Sequence, residues 1–349
     1  MGEEVVVMRI GVLTAGGDAP GLNAAIRAIG DMAMRDGHEV IGIANGWAGL
    51  VGEFQGETLT AKDLRGIIGQ GGTLLGTQRY NLDDPAGGRE SVLTAIDEHV
   101  DALIAIGGDG THHISHWLAE RNAPVVGVPK TLDNDLPGTD YCIGFDTAIS
   151  IVAESLDRLN TTAASHHRVI VVETMGRSTG WVAALGGLAG GADMIVIPEF
   201  PITIDEIVAH LEVRRRAGLV FSIVVVAEGI DLDSLEGGAT SQVDSDGVSG
   251  VRHATRGVGH FVSSKIEQHG FEVRTTVLGH LQRGGSPTAH DRIYATRVAA
   301  AAYEAVVAGK FGMIPVVRDG TVVLTELSTV TTGRRQVPRE IYDLCAIFF

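Results

Sequence analysis

MRIGVLTAGGDAPG, residues 8–21, places an apolar run directly before a glycine-rich turn, and NAAIRAIGDMAMRD follows it at 23–36. The apolar run is short and rich in β-branched residues, which predicts a buried strand, whereas the second stretch is long enough for a helix. The glycines between them permit backbone conformations that suit a tight strand-to-helix turn. The segment therefore predicts one strand–turn–helix unit of an α/β fold.

The same pattern recurs along the chain. Further apolar runs, most of them followed by glycine or polar residues, lie at 39–45, 101–107, 123–129, 168–174, 194–199, 221–229 and 273–279. Helix-like stretches separate several of these runs, for example at residues 149–160. Apolar strands that alternate with helices predict a mostly parallel sheet covered on both faces, and such sheets bind ligands at the carboxyl ends of their strands. The unusual polar clusters of this sequence all follow predicted strands, so we expect them at that edge.

The composition excludes several classes of protein. The chain has 349 residues, 44% of them hydrophobic and 20% charged, which describes a globular protein long enough for two domains. The net charge of −16 argues against binding to nucleic acid or to anionic membranes, because both require a basic surface. The sequence contains no run of about 18 apolar residues, so it predicts no membrane span. Cys142 and Cys345 are too few for a disulfide framework, so we predict a cytoplasmic protein.

Two glycine turns are suited to phosphate. GGDAPG at 16–21 can direct backbone N–H groups and a helix N-terminus at an anion, although an ordinary tight turn explains this loop equally well. GGDGT at 107–111 surrounds Asp109 with glycines, and Thr111 is placed to cap the next helix. A lone carboxylate suits Mg²⁺ and the glycines leave room for phosphates, which we prefer to a simple Asx turn. Neither loop has a dinucleotide or P-loop fingerprint, which argues against a dehydrogenase.

PKTLDND, residues 129–135, is the most informative polar cluster, because it crowds Asp133 and Asp135 behind a predicted strand. Phosphoryl transfer requires a metal carboxylate, a positioned hydroxyl group, an acidic residue that accepts its proton, and cations around the moving charge. An aspartate is ionised at pH 7 and is a weak base. A loose transition state needs proton abstraction only late, so positioning matters more than basicity. The alternative interpretation is a structural turn.

Several cations and one carboxylate also follow or flank the predicted strands. Arginine presents a planar guanidinium group that can bind phosphate through two hydrogen bonds. Each of these residues alone is more often a partner in a surface ion pair, but a set of them in an acidic protein indicates an anionic ligand. The set comprises Arg168, Arg177, Arg274, His280 and Arg283, with Glu228 as a hydroxyl acceptor.

Together these segments resemble the 6-phosphofructokinase family of bacterial-type fold. The matching stretches run in family order from about residue 9 to 300 and are GGDAPGLN, GGTLLGTQR, GGDGT, PKTLDNDLPGTDYCIGFDTA, LDRLNTTAASHHR, MGRSTG, VVVAEG and TTVLGHLQRGGSP. The resemblance implies two similar Rossmann-like, three-layer α/β domains with mostly parallel sheets and a cleft between them. We expect a phosphoryl-donor domain of residues 1–147 plus about 281–310, and a sugar-phosphate domain of 148–280 plus about 311–349.

The resemblance also implies roles for single residues. Asp133 would accept the proton of the sugar 1-hydroxyl group, supported by Thr131 and Asp135, and Asp109 would bind Mg²⁺. Arg177 would lie near the transferred phosphoryl group and the sugar. The positions that would contact the phosphoryl donor are Gly17, Arg79, Gly108, Gly110, Thr111 and Lys130.

The remaining implied contacts concern the acceptor, fructose 6-phosphate. The positions that match sugar-phosphate contacts are Met175, Gly176, Glu228, His280 and Arg283. Arg168 and Arg274 match a pair that a neighbouring subunit supplies, so the resemblance implies a homotetramer or a homodimer. Residues 331–349 contain no motif that indicates a role.

Two positions bear on the phosphoryl donor. In this family a glycine at the Gly110 position leaves space for the α-phosphate of ATP, whereas an aspartate there accompanies pyrophosphate. Lys130 is typical of pyrophosphate users, and the combination resembles a mixed subgroup of the family. Because a flexible lysine can lie beside either donor, Gly110 carries more weight. We therefore predict ATP, with pyrophosphate as the alternative.

The acceptor is less strictly defined by the sequence. Ser178 and Thr179 follow Arg177, where mixed members commonly carry a histidine, and two small residues would widen the sugar pocket. Fructose 6-phosphate, phosphorylated to fructose 1,6-bisphosphate in glycolysis, is the predicted substrate, and sedoheptulose 7-phosphate is the alternative. A sensor without catalysis is disfavoured, because such a protein would be free to lose Asp133 and Asp109.

Overall fold

The computed structural model describes residues 7–83, 88–238 and 257–349. Within these ranges the chain forms two compact units. Unit 1 takes its residues from Met1–Leu132, Leu136–Asp146 and Arg283–Arg334. Unit 2 takes its residues from Asp133–Asp135, Thr147–Gln282 and Arg335–Phe349.

Strands and helices alternate through most of the described chain. The strands are β1 (Arg9–Thr14), β2 (Glu39–Ile43), β3 (Gly56–Thr58), β4 (Ala102–Gly107), β5 (Val125–Pro129), β6 (Val169–Thr174), β7 (Met194–Val196), β8 (Ser222–Ala227), β9 (Val273–Val277), β10 (Met313–Arg318) and β11 (Thr321–Glu326). The α-helices are α1 (Leu22–Arg35), α2 (Ala61–Leu64), α3 (Gly88–His99), α4 (Asp109–Ala119), α5 (Phe145–His166), α6 (Trp181–Ala189), α7 (Ile204–Arg216), α8 (Leu232–Leu235), α9 (Val258–Glu267), α10 (Ala289–Val307) and α11 (Arg339–Cys345). Each predicted strand corresponds to an observed one, and β3, β10 and β11 were not predicted.

Sheet 1, in unit 1, has the strand order β11-β10-β5-β4-β1-β2-β3. Its inner pairs are parallel: Ile10 of β1, for example, lies opposite Val40 of β2 and Ala102 of β4. Only the outermost pairs, β10 with β11 and β2 with β3, are antiparallel in the described sheet. A parallel interior places the carboxyl ends of β1, β4 and β5 at one edge.

Sheet 1 is covered on both faces. Ile104 of β4 packs in a buried cluster with α1 and α10, whereas its neighbours Leu103 and Ala105 pack in a second cluster with α3 and α4. Successive side chains of a strand point to opposite faces, so this alternation defines three layers.

Sheet 2, in unit 2, has the order β7-β8-β6-β9, and every pair in it is parallel. All residues of β6 and β8 are buried, as expected for strands packed on both sides. The prediction of an α/β fold with mostly parallel sheets is confirmed. Among the described residues, no helix is both long and apolar enough to cross a membrane.

One segment departs from the expected division of the chain. Residues from about 311 onward were expected with 148–280, but β10 and β11 join sheet 1 and only Arg335–Phe349 belongs to unit 2. The reason is strand pairing: Met313 lies opposite Val126 of β5, a partner far away in the sequence. Because β11 pairs only with β10 in the described sheet and is partly exposed, its pattern is not that of a buried parallel strand.

Candidate active site

In unit 1, Lys130 holds the glycine turn that follows β1. Its ammonium group donates hydrogen bonds to the carbonyl oxygens of Ala15 at 2.9 Å and Gly17 at 2.5 Å. Its backbone N–H donates to Gly107 at the end of β4, at 2.8 Å. Lys130 is only 3% exposed, so these charge-assisted bonds lie in a protected environment. The lysine predicted to be flexible is therefore fixed, and it ties both glycine turns to the end of β5.

Arg283 lies on the same turn. Its Nη1 donates to the carbonyl oxygen of Asp18 at 2.9 Å. A Cβ atom at Gly17 would lie 2.7 Å from that nitrogen, so a side chain at residue 17 would displace the guanidinium group from this position. Arg283 was predicted to contact the sugar phosphate, but it belongs to unit 1, beside a predicted donor residue.

The second glycine turn, after β4, leads directly into α4. A Cβ atom at Gly107 would lie 2.1 Å from Oγ1 of Thr111, so this glycine is required by packing. A Cβ atom at Gly110 would meet nothing within 4 Å. The predicted cap at Thr111 is wrong: the N-cap is Gly108, which has no side chain, and Thr111 lies inside the helix and is buried. The first N–H groups of α4 therefore have no side-chain cap at this position, as a phosphate site requires.

Asp109 is the first residue of α4. Its carboxylate lies 3.0 Å from Nδ1 of His113, one helical turn away, and this hydrogen bond raises the pKa of His113. No group of three or more potential metal ligands occurs among the described residues. Magnesium is usually held by one or two carboxylates together with substrate phosphates and water. A single carboxylate beside the open space at Gly110 fits that mode of binding.

The segment GGTLLGTQR reaches the same edge of sheet 1. The Thr77 hydroxyl donates to the carbonyl oxygen of Gly16 at 2.8 Å, and the Gly16 N–H donates to Gln78 at 3.4 Å. Arg79 follows Gln78 and is exposed. Unit 1 thus gathers most of the predicted donor contacts around the turns that Lys130 connects.

In unit 2, the acidic segment is compact and buried. Asp133, Asn134 and Asp135 are 8%, 1% and 3% exposed. Asn134 adopts a left-handed conformation with φ of 52°, which asparagine tolerates better than most residues. Thr131, predicted to support Asp133, belongs to unit 1. A turn needs no such burial of two acidic residues, so the arrangement favours a chemical role.

The turn after β6 presents Arg177. This residue also has a positive φ, 54°, and the carboxylate of Glu228 accepts hydrogen bonds from its N–H at 3.0 Å and from Gly176 at 3.4 Å. A Cβ atom at Gly229 would lie 1.8 Å from the Arg177 carbonyl oxygen, which explains the glycine of the AEG motif. Burial raises the pKa of Glu228, and the nearby Asp133 carboxylate raises it further. Both bonds use Oε1 of Glu228, so this carboxylate orients the Arg177 backbone.

The hydroxyl groups after Arg177 do not widen a pocket as expected. Thr179 is 0% exposed, and its hydroxyl group lies 3.2 Å from the carbonyl oxygen of Gly176 and 3.5 Å from that of Asp133. Only Ser178 is partly exposed. Thr179 therefore links the Arg177 turn to the acidic segment.

The sequence matches known proteins along most of its length. The family model described as phosphofructokinase matches residues 9–306. The chain belongs to the phosphofructokinase family. It is 45% identical over 351 residues to an ATP-dependent 6-phosphofructokinase of Chloroflexus aggregans, covering 97% of this chain and 95% of that one. It is also 45% identical over 350 residues to a pyrophosphate–fructose 6-phosphate 1-phosphotransferase of Amycolatopsis methanolica, covering 98% and 100%.

Among solved structures, phosphofructokinase of Pichia pastoris in the T-state is similar to this phosphofructokinase-family chain. The TM-score is 0.81 at 31% identity, and the match covers 94% of this chain but 36% of the Pichia chain. The chain thus spans about a third of the length of that relative. The fold is that of the family.

Arg168 and Arg274 lie near the amino-terminal ends of the strands of sheet 2, whereas the Arg177 turn follows a carboxyl end. Arg168 directly precedes β6, and Arg274 is the second residue of β9. At about 3.3 Å per residue, β6 separates Arg168 from the turn by roughly 20 Å. Within one chain these arginines and the predicted sugar-phosphate residues Met175 and Gly176 are not brought together.

Several residues of structural importance to this phosphofructokinase-family site were not predicted. Gln282 is 0% exposed and accepts a hydrogen bond from the Met175 N–H at 3.3 Å, next to the exposed His280. Glu199 and Arg335 bond to the backbone of the same region. Because their partners are distant backbone atoms, no local sequence pattern indicates them.

Proposed function

We propose that this protein is an ATP-dependent 6-phosphofructokinase that requires Mg²⁺ and converts fructose 6-phosphate to fructose 1,6-bisphosphate in glycolysis. The observation that carries the proposal is the pairing of residue sets: unit 1 gathers open glycine turns and Asp109, and unit 2 gathers Asp133 and the Arg177 turn. Phosphoryl transfer requires these two sets.

The donor side of the proposal rests on unit 1. Asp109 would hold Mg²⁺, which would neutralise charge on the donor phosphates when bound. The uncapped start of α4 and the turn at Gly17 would offer backbone N–H groups to the phosphates. Lys130 would act on the donor through the turns that it holds rather than by reaching into solvent.

The acceptor side rests on unit 2. Asp133 would orient the sugar 1-hydroxyl group and accept its proton as the new oxygen–phosphorus bond forms and the bond to ADP breaks. Arg177 would stabilise charge on the transferred phosphoryl group, while Glu228 fixes its backbone. Met175, Gly176 and His280 would contact the sugar phosphate.

The choice of donor is argued from Gly110. Open space where its side chain would lie supports a bulky nucleotide, and an aspartate there would obstruct and repel the α-phosphate. The relatives alone do not discriminate, because ATP-dependent and pyrophosphate-dependent proteins are equally similar to the chain. Pyrophosphate is therefore the second candidate donor. The case for sedoheptulose 7-phosphate is weaker, since Thr179 is buried.

We further propose a homotetramer, or failing that a homodimer, in which Arg168 and Arg274 serve the site of a neighbouring subunit. Their position at the far edge of sheet 2 supports this, because they cannot reach the Arg177 turn of their own chain. A cytoplasmic location and the absence of nucleic-acid and membrane partners stay predictions from composition.

An assay of purified protein tests the proposed function. Each donor, ATP or pyrophosphate, is combined with each acceptor, fructose 6-phosphate or sedoheptulose 7-phosphate, with and without Mg²⁺. We expect the highest kcat/KM for ATP with fructose 6-phosphate. A higher value with pyrophosphate would transfer the proposal to the second donor, and no turnover with any pair would overturn it.

A further inference from the structure

Residues Arg335–Phe349, which we name the C-terminal strap, return the chain to unit 2 beside the acidic segment. The N–H of Arg335 donates to the carbonyl oxygen of Asp135 at 2.8 Å. Through this backbone hydrogen bond the strap holds the acidic segment. The sequence of the strap indicated no such role.

The strap also contacts the start of α6. The indole Nε1 of Trp181 donates to the carbonyl oxygen of Arg335 at 3.0 Å. The Arg335 guanidinium carbon lies 4.0 Å from the centroid of the same ring, a cation–π distance. Trp181 is 3% exposed and is the first residue of α6, so both contacts act on the end of the Arg177 turn.

Glu199 adds a second link between the strap and that turn. Its carboxylate accepts from the Gly180 N–H at 2.9 and 3.0 Å and from the Val337 N–H at 3.2 Å. One side chain thus binds the N-cap of α6 and the strap together. Hydrogen bonds to a carboxylate are stronger than those between neutral groups.

The strap is anchored at its far end. The Tyr342 hydroxyl donates to the carbonyl oxygen of Ile195 at 3.3 Å, and its ring stacks on Phe200 with centroids 4.7 Å apart. Cys345 is 0% exposed and lies 3.4 Å from the carbonyl oxygen of Ala184 in α6. The strap is therefore a packed part of unit 2.

We propose that the C-terminal strap and Glu199 position the groups that perform phosphoryl transfer, with Glu199 and Trp181 as positioning residues. Three connections converge: Arg335 holds Asp135, Glu199 holds Gly180, and Thr179 links the Arg177 turn to Asp133. The inference rests on the proposed function of Asp133 and Arg177. Because a misplacement of about 1 Å can cost on the order of 10²-fold in rate, small loosening here lowers kcat.

The test compares two substitutions of Glu199. Glu199→Ala removes the acceptor from both N–H groups, whereas Glu199→Gln keeps an oxygen at the Oε1 position that accepts from both but replaces Oε2, which lies 3.0 Å from the Gly180 nitrogen, with an NH2 group. We expect kcat of the folded enzyme to fall by roughly 10- to 100-fold in the alanine variant, with KM for ATP changed by less than about threefold, and to recover in part in the glutamine variant.

Asp193→Ala is the matched control. Asp193 also accepts from a backbone N–H of unit 2, that of Ile223 at 2.8 Å, but it directly precedes β7, whereas Glu199 follows that strand. Its loss should destabilise unit 2 and leave kcat of the folded enzyme within about threefold of wild type. Equal kcat values in the two alanine variants would overturn the proposal.

Two further measurements keep the test decisive. Trp181→Phe keeps an aromatic ring but removes the N–H donor to Arg335, so it tests the proposal if Glu199→Ala does not fold. An unchanged kcat would count against a positioning role for the strap. Backbone hydrogen exchange of peptides covering 131–136 and 175–182 should accelerate in Glu199→Ala and not in Asp193→Ala. Exchange does not depend on turnover, so an inactive wild type would overturn only the proposed function.

Discussion

Arg168 and Glu272 form an ion pair in which Nε donates to Oε1 at 2.6 Å, and the same oxygen accepts from Nη2 of Arg274 at 3.2 Å. Both arginines that we assign to a neighbouring subunit's substrate thus share one acidic partner on their own chain. The Glu272 side chain is 52% exposed, so the pairs are weak and exchangeable. If these arginines bind the substrate as proposed, Glu272 would compete with its phosphate for the two guanidinium groups.

Removal of that competitor should tighten substrate binding. Glu272→Gln is expected to lower KM for fructose 6-phosphate by about two- to fivefold, the scale of an exposed ion pair, with little change in kcat. Steady-state kinetics at low ionic strength measure this. Glu212→Gln, which removes the partly buried ion-pair partner of the exposed Arg215, is the control and should leave KM unchanged. A raised KM in the Glu272 variant would argue against substrate contact by these arginines.

Asp133 carries the proton transfer in the proposed mechanism. Asp133→Asn keeps the size of the side chain but cannot accept the hydroxyl proton, so kcat should fall by roughly 10²- to 10⁴-fold. Circular dichroism should show an unchanged fold. Asp140→Asn, at an exposed aspartate a few residues along, is the control and should remain close to wild type. A loss of less than about tenfold in Asp133→Asn would assign the base elsewhere.

Gly110 is expected to determine which phosphoryl donor, ATP or pyrophosphate, the enzyme uses. A carboxylate placed in the open space there would obstruct and repel the nucleotide, so Gly110→Asp should lower kcat/KM with ATP far more than with pyrophosphate. Gly110→Ala introduces only a Cβ atom that meets nothing within 4 Å, and it should retain both activities as measured. Equal losses with the two donors would contradict the assignment.

Lys130 is expected to stabilise the glycine turns rather than to select the phosphoryl donor. Lys130→Met leaves the carbonyl oxygens of Ala15 and Gly17 without the ammonium group and should cost about 1.5–3 kcal/mol of unfolding free energy. Denaturant unfolding measures this cost, and KM should rise for ATP and pyrophosphate alike. Lys265→Met, at a more exposed ion pair with Glu236, is the control and should change little. A loss confined to pyrophosphate would instead make Lys130 a donor-selecting residue.

The raised pKa of Glu199 predicts that the unfolding free energy depends on pH. Burial raises the pKa of its carboxyl group above the ordinary value of 4.5. The stability that this group contributes is therefore fully present below pH 4.5 and is lost as the pH rises through the folded-state pKa. Glu199→Gln does not titrate, so its unfolding free energy relative to wild type should improve between about pH 4 and pH 8.

Denaturant unfolding at several pH values measures this trend, and Glu206 supplies a control of opposite sign. Its pKa is lowered by hydrogen bonds from the backbone and side chain of Thr203. Glu206→Gln should therefore lose stability relative to wild type as the pH rises. The same slope for both variants would show that burial does not dominate at Glu199.

The positions of the inner strands and of the glycine turns followed from the sequence alone. Short apolar runs such as 101–107 end in glycines, and this local pattern suffices because a buried parallel strand is apolar on both faces. Local pattern also located Asp109, Gly110 and Asp133, since a motif specifies which residues follow which strand.

Only the tertiary structure decided how several of these residues are used. Lys130 and Thr179 have side chains of the kind that often bind ligands, yet both are buried and bond to backbone atoms. Arg283 bonds to Asp18 in the glycine turn after β1, and Arg335 of the strap bonds to Asp135 in the acidic segment. Each outcome depends on a hydrogen-bond or packing partner distant along the chain. The chemistry of a side chain determines what it can bind, whereas the fold determines which partners lie within its reach.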